Sequence, residues 1–304
     1  MIAPECFESE ALEQVAAKTI VQRTKSTAWF GTEYNMNIYR GCSHGCIYCD
    51  SRSDCYGTND FDRVRVKANA LEIIRDDLRR KVKPGIVATG AMSDPYNPHE
   101  KNLMLTRRSL ELLSAFDFGA AIATKSDLVL RDMDILQEIK AHSPVLVKIT
   151  ITTPHDDISA KIEPHAQKSS LRFEALRRLS KNGIFCGVLL MPVLPFIADR
   201  PEDIRQLVQL AADAGARFVY PYFGVTLRQN QREYFLESVE QAFPGTSAKY
   251  LRQYGTNYSC TSPRQKELQQ AFSEACLKSG MLYKMRDIIA GYKEGYGDNQ
   301  LKWF

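Results

Sequence analysis

No stretch of this sequence is long and apolar enough to cross a bilayer as a helix. The longest mostly apolar run, residues 185–198, contains two prolines and a glycine and falls short of the ~20 residues that a spanning helix needs. A basic segment ahead of an apolar one is also missing. The first residues, MIAPECFESEALEQ, carry acids instead, so no secretory leader is predicted and a cytosolic protein with no membrane partner is expected. Charge of one sign is scarce: 40 Lys and Arg against 36 Asp and Glu leave +4. That surplus permits a nucleic-acid partner without arguing for one. Internal repeats and low-complexity linkers are absent, which excludes a solenoid or a tethered array. What remains is an ordinary globular balance, 44% hydrophobic and 25% charged over 304 residues. A chain of this length buries roughly 75% of its unfolded surface and needs no disulfide staples.

In a reducing compartment the eight cysteines are not a disulfide framework. Cys6, Cys186, Cys260 and Cys276 are scattered singly and read as small buried hydrophobes. Cys42, Cys46, Cys49 and Cys55 lie close together and call for a metal.

Short β-rich runs alternate with amphipathic helices. Strands are predicted at 35–40, 85–89, 119–124, 145–152, 184–191 and 217–222, with helices at 68–82, 106–114, 132–141, 170–181 and 201–214 between them. Leu71, Ile74, Leu78 and Val82 mark the apolar face of the first helix. Asn182-Gly183 and Ala214-Gly215 sit where helix C-caps belong. This alternation predicts an α/β fold with a parallel sheet. Its six strands are two short of a complete eight-stranded barrel. After Tyr222 the pattern turns helical, with helices predicted at 229–243 and 264–279 and no strand between them. The expected organisation is an N-terminal segment, 1–34, a barrel-like domain, 35–228, and a helical C-terminal extension and tail, 229–304. In parallel α/β sheets chemistry sits at the C-terminal strand ends. Those ends carry Gly41-Cys42, Gly90 to Asp94, Lys125-Ser126, Thr150 to His155 and Tyr220 to Tyr222.

The sharpest motif is GCSHGCIYCD, directly after the first strand. Cys42, Cys46 and Cys49 form C-x3-C-x2-C, and three thiolates on one tight loop suit a [4Fe–4S] cluster with one iron left without a protein ligand. The alternative is a zinc site, closed by Cys55 or His44 as a fourth ligand.

With Tyr48 before the third cysteine, the motif resembles that of radical S-adenosylmethionine enzymes. GCSHGCIYCDSR together with SDPYNPHE, TKS and IEPH looks like the spore-photoproduct-lyase-like group, over residues 36–222. The resemblance implies a partial (β/α)6 TIM-like barrel with the cluster at its open end. It implies that the open iron chelates the methionine part of S-adenosyl-L-methionine. Reductive cleavage of that cofactor to a 5′-deoxyadenosyl radical, which takes hydrogen from a substrate, then gives lyase- or transferase-like chemistry. Cys42, Cys46 and Cys49 are the implied metal ligands. Ser93 and Asp94 are implied acceptors for the cofactor's amino group, and Lys125, beside Ser126, the partner of its carboxylate. Thr150 faces the ribose or carboxylate, Glu163 of IEPH matches a family position, and the strand around 188–190 runs along the adenine with Tyr48 nearby. The lyase of this group carries a hydrogen-donating cysteine two residues before its Ser-Asp pair. This sequence has Ala91 there, so a substrate other than the spore thymine dimer is expected. Tyr48 and Cys55 are the candidate catalytic residues, Cys55 as the replacement donor.

Basic residues gather at Arg63, Arg65 and Lys67, at Arg79 to Lys83, and at Arg172, Arg177 and Arg178; each set reads as a solvated face unless the sets share one surface. Tyr220, Tyr222, Tyr254 and Tyr258 are available to stack on a base. The expected substrate is a nucleic acid or nucleotide, and the expected electron source is a partner such as a flavodoxin or ferredoxin. The tail Gln300-Leu301-Lys302-Trp303-Phe304 resembles peptides that dock on a replication sliding clamp. Two alternatives stand beside this reading. One is a radical enzyme acting on a peptide or small metabolite, weakened by the lack of a peptide-binding segment ahead of the barrel. The other is a non-enzymatic zinc or iron–sulfur module.

Overall fold

The computed structural model describes residues 12–57 and 60–296; Cys6 and the clamp-like tail at 300–304 lie outside the described residues. Seven strands form the main sheet, in the spatial order Phe218–Pro221, Cys186–Leu190, Val145–Thr150, Gly119–Thr124, Ile86–Thr89, Tyr34–Met36 and Val21–Arg23. The first six are mutually parallel, and Val21–Arg23 pairs antiparallel with Tyr34–Met36. Each step between consecutive parallel strands carries a helix: Ala70–Arg79, Leu105–Ala115, Met133–Lys140, Ser169–Lys181 and Pro201–Asp213. This is the expected partial (β/α)6 barrel.

Period-two alternation along the strands sorts the core into two compartments. Val87, Ile122, Val147, Ile149, Val188 and Val219 face outward onto Ile74, Leu110, Leu136, Leu176 and Leu207 of the helices. Ile86, Ala88, Ala121, Leu146, Leu189 and Phe218 face the lumen, where they meet Phe30, Ile288 and Tyr292. Gly183 and Gly215 take positive φ, 70° and 77°, at the predicted C-caps.

Several elements differ from expectation. The strand at 35–40 splits: Tyr34–Met36 stays in the barrel, while Tyr39–Arg40 leaves it to pair with Arg65–Lys67 in a small sheet that also holds Gln14–Val15. That departure carries the chain across the barrel mouth into the cysteine loop. Val82 lies beyond the end of the first helix and is fully exposed; the helix stops at Arg79, and Pro84 removes the backbone donor that continuing it would need. The C-terminal region is not purely helical, since Ser259–Thr261 pairs antiparallel with Gly224–Thr226 in a two-stranded sheet. Its helices are Gln231–Ala242, Thr246–Tyr254, Gln265–Lys278 and Met285–Lys293.

This region also closes the open side of the barrel. Leu282 bonds to Arg217 and Val219 at the edge of the sixth strand, with Leu282 N donating to Arg217 O at 3.1 Å and Val219 N to Leu282 O at 3.0 Å. The Tyr292 hydroxyl donates to Phe30 O at 2.5 Å, and Lys293 Nζ to Gly31 O at 2.6 Å. The loop carrying Trp29 and Phe30 is thereby pinned against the lumen. At the opposite edge one carboxylate oxygen of Asp77 accepts from Ile20 N, Val21 N and the Thr19 hydroxyl.

The mouth depends on a close backbone approach at Gly90, which follows the second barrel strand with φ +93°; a Cβ there would lie 2.0 Å from the Ala123 carbonyl oxygen. We therefore expect Gly90→Ala to cost about 2–3 kcal/mol of stability, read as a lowered urea midpoint. An unchanged midpoint would refute this packing.

Candidate functional site

The cysteine loop is stitched to two distant segments. Gly41, at φ +81°, lets the chain pass where a Cβ would stand 2.4 Å from Arg63 O. Cys42 N donates to Phe61 O at 2.8 Å, Ile47 N to Ile162 O at 3.0 Å, and His165 N to His44 O at 3.1 Å. Held this way, Cys42, Cys46 and Cys49 line one cavity of about 110 Å³, with Ser93, Asp94, Lys125 and Thr150 on its other walls. The structure therefore brings the three thiols and four of the sequence-predicted cofactor residues to one place, at the C-terminal ends of the barrel strands.

Asp94 is the organiser of this wall. Its Oδ1 accepts from Tyr96 N at 2.9 Å and from the Thr124 hydroxyl at 2.7 Å. Its Oδ2 accepts from Lys125 N at 2.8 Å and faces His44 Nδ1 at 3.4 Å. Three hydrogen bonds thus make Asp94 a lock between the second and third strand ends, and the same carboxylate lines the cavity beside His44. The Ser93 hydroxyl donates to Gly41 O and ties the same wall to the cysteine loop. Ser126 is engaged as a helix cap, its Oγ accepting from Leu128 N at 3.2 Å.

Lys125 keeps its ammonium toward the cavity, with Nζ 5.7 Å from the centre of the Tyr48 ring. Burial acts to lower its pKa, but Cys46 and Glu163 overcome that and hold it above its ordinary range.

Behind the cavity lies a dry ion pair that sequence reading missed. Glu163 and Arg172 are both fully buried, and Arg172 Nη2 stands 2.6 Å from Glu163 Oε2. The other oxygen of Glu163 accepts from the Tyr48 hydroxyl, and Arg172 Nη1 donates to Thr150 O at 2.9 Å. Gln231, from the C-terminal region, donates to the Tyr48 carbonyl at 3.1 Å. Tyr48 is thus held from both ends beside the cysteines. Arg172 is buried and paired, apart from the solvated basic face to which its sequence neighbours Arg177 and Arg178 belong. Its signal was its place on the helix, four and seven residues before the buried Leu176 and Leu179. Burial would raise the Glu163 pKa, but Arg172 and Lys125 reverse that and hold it low.

Cys55 is not brought to the cavity. It is exposed on the short helical turn Asp54–Tyr56, its thiol 3.3 Å from the Ser53 hydroxyl. Tyr254 packs in the core against Phe196 and Tyr250 rather than standing free for a base. Cys186, Cys260 and Cys276 are buried as expected.

The three loop thiols suit a cluster better than one ion. Among the described residues no three His, Cys, Asp or Glu side chains converge closely enough to hold a single metal ion. Of the two residues offered as a zinc site's fourth ligand, His44 is turned to Asp94 and Cys55 is exposed away from the cavity. Burial, with Asp94 second, pushes the Cys42 thiol up to about 11, and burial raises Cys46 and Cys49 as well. Three buried thiols become ligands only when a bound metal group supplies the compensating positive charge.

Two basic grooves flank the cavity. One, of about 550 Å³, shares His44 with it and carries Lys101, Arg131, His165 and Arg178 beside Asp127, with Arg131 paired to Glu100 and Asp132. The other, of about 440 Å³, shares Met92 and carries Arg23, Lys25, Arg40 and Lys67.

The family model described as the Radical SAM superfamily matches residues 36–218. An uncharacterised protein of Mycobacterium tuberculosis is 30% identical over 255 residues, covering 82% of this chain and 75% of its own. An uncharacterised protein of Methanocaldococcus jannaschii is 34% identical over 191 residues, covering 61% and 69%. Among solved structures, a spore photoproduct lyase variant with bound AdoMet and dinucleoside spore photoproduct superposes with a TM-score of 0.62 at 16% identity, over 87% of this chain and 79% of that one. At that identity the likeness is one of fold. No helix of the described residues is long and apolar enough to cross a membrane.

Removing one partner of a buried ion pair strands the other. Arg172→Met and Glu163→Leu should each cost about 3–5 kcal/mol, and the double variant should recover much of the sum. Denaturant midpoints of the three variants measure this, and strictly additive losses would show that the pair is not coupled.

Proposed function

The chain belongs to the Radical SAM superfamily, and we propose that it uses a [4Fe–4S] cluster and S-adenosylmethionine to take hydrogen from an anionic substrate, a nucleic acid or nucleotide. The observation that carries this reading is the set of three thiols on one cavity wall with Lys125, Ser93 and Thr150 opposite. Cys42, Cys46 and Cys49 would hold the cluster. When bound, it supplies the electron that splits a carbon–sulfur bond of S-adenosylmethionine and leaves a 5′-deoxyadenosyl radical.

The chain's own residues do the rest. Lys125 presents a fixed positive charge to the cofactor carboxylate. Thr150 offers a hydroxyl at the mouth, Ser93 ties the wall to the cysteine loop, and Asp94 keeps the strand ends in register. Tyr48, clamped by Glu163 and Gln231, forms a rigid wall beside the cysteines. The apolar lumen below limits water, which a primary alkyl radical requires. The two basic grooves on either side of the cavity favour a substrate with phosphates, since positive clefts concentrate anions. A flavodoxin or ferredoxin is the fitting class of electron donor.

Anaerobic reconstitution with iron and sulfide should give a brown protein that releases 5′-deoxyadenosine from S-adenosylmethionine under dithionite. Cys46→Ala should reduce that release to background. Oligonucleotides should speed the release more than peptide pools do; the reverse order would move the substrate to the peptide class. A colourless protein holding one zinc would remove the enzyme reading altogether.

A further inference from the structure

Below the cavity, the barrel lumen contains a lysine that none of the roles above uses. Lys148 lies in the fourth barrel strand, Val145–Thr150, between Leu146, which belongs to the lumen cluster, and Thr150, which lines the cavity. Alternation along the strand puts all three on the inner face. Lys148 is 3% exposed. Among the described residues its ammonium makes no hydrogen bond and no ion pair; its one polar contact is with the Phe30 ring, whose centre is 4.8 Å from Nζ.

Its in-register neighbours are Ala123 on one side and Gly187 on the other. The Phe218 ring packs over Gly187, where an added Cβ would lie 2.4 Å from it. Ala123 also lines the cysteine cavity, so the lysine sits directly beneath it. Across the lumen stand Phe30, Phe218 and Tyr220, with Trp29 packed edge-on to Tyr220 at 5.5 Å.

An amine buried without a counter-charge is costly, and structures keep such groups where a ligand completes them. A ring face alone compensates a cation only in part. Resting on the proposed function, in which a substrate reaches the lumen below the cluster, we propose that Lys148 anchors the substrate by pairing with an anionic group, a phosphate or a carboxylate. Burial alone pushes its amine down to about 7, so without an anion it is only partly protonated near neutrality. An arriving anion holds the proton on the nitrogen and is held in turn. This would fix one end of the substrate on the strand that carries Thr150, two residues from the cavity wall.

The test is NMR on the full reconstituted chain with ¹³C- and ¹⁵N-labelled lysine. The Lys148 signal is assigned by its disappearance in Lys148→Met. Inorganic phosphate is titrated in one arm and acetate in another, with chloride at matched ionic strength as the control. A saturable shift of the Lys148 signal with phosphate alone identifies a phosphate anchor, and one with acetate alone a carboxylate anchor; a shift with both leaves the anionic class established. No shift with either, or an equal one with chloride, overturns the proposal and leaves Lys148 as a packing element. The thermal midpoint of Lys148→Met gives a second check. It should rise, because an unpaired buried amine has been replaced by an apolar chain of similar length; a fall would count for packing. Neither measurement needs cofactor cleavage. A protein that binds anions at Lys148 but releases no 5′-deoxyadenosine would break the functional reading and spare the anchor.

Discussion

A guanidinium and a carboxylate with no exposed surface meet 2.6 Å apart behind the cysteine loop. Taking both charges out of water costs several kcal/mol each; the ion pair and two further hydrogen bonds offset part of that cost, while the buried Arg172 Nε keeps no hydrogen-bond partner among the described residues. Glu163 gives its second oxygen to the Tyr48 hydroxyl, and Arg172 gives a proton to the carbonyl of Thr150. One pair therefore joins the cysteine loop, the fourth strand end and the helix Ser169–Lys181. Moving any of the three would strand a charge. The cavity wall is rigid because its back is electrostatically unforgiving.

The same logic runs through the front wall. Asp94 accepts from two backbone amides and a hydroxyl and faces His44, which makes it a clamp. The Lys125 ammonium, the Thr150 hydroxyl and the three thiols face the cavity beside it. The mouth therefore divides into residues that hold position and residues that remain available for chemistry. The lumen beneath is mostly apolar, so Lys148 stands out there as an unpaired amine.

The closure of the barrel couples the chain ends to this site. Phe30 reaches the lumen because Tyr292 and Lys293 bond to its backbone and that of Gly31. Gln231 reaches the Tyr48 carbonyl from the opposite side. The C-terminal region is thus part of the site's support, and its strand Ser259–Thr261 escaped notice because three residues are too short to show a period of two. The helix Asp156–Ile162 was missed for a similar reason, seven residues giving barely two turns of pattern. The strand at 35–40 was read as one because a bend between two paired segments leaves no mark in hydropathy.

Local regularities were sufficient for much of this protein. Five of the barrel strands and their crossover helices follow from periodicity, the caps from Asn182-Gly183 and Ala214-Gly215, and the three-cysteine loop from spacing alone, because each depends on residues close along the chain. The pairing of Arg172 with Thr150, 22 positions away, and of Tyr48 with Glu163, 115 away, does not. Neither does the clamping of Asp94, the outward turn of Cys55 or the unpaired amine of Lys148. Whether a charged side chain is solvated, clamped or waiting for a ligand depends on which distant groups the fold places within hydrogen-bond reach, and only tertiary structure decides that.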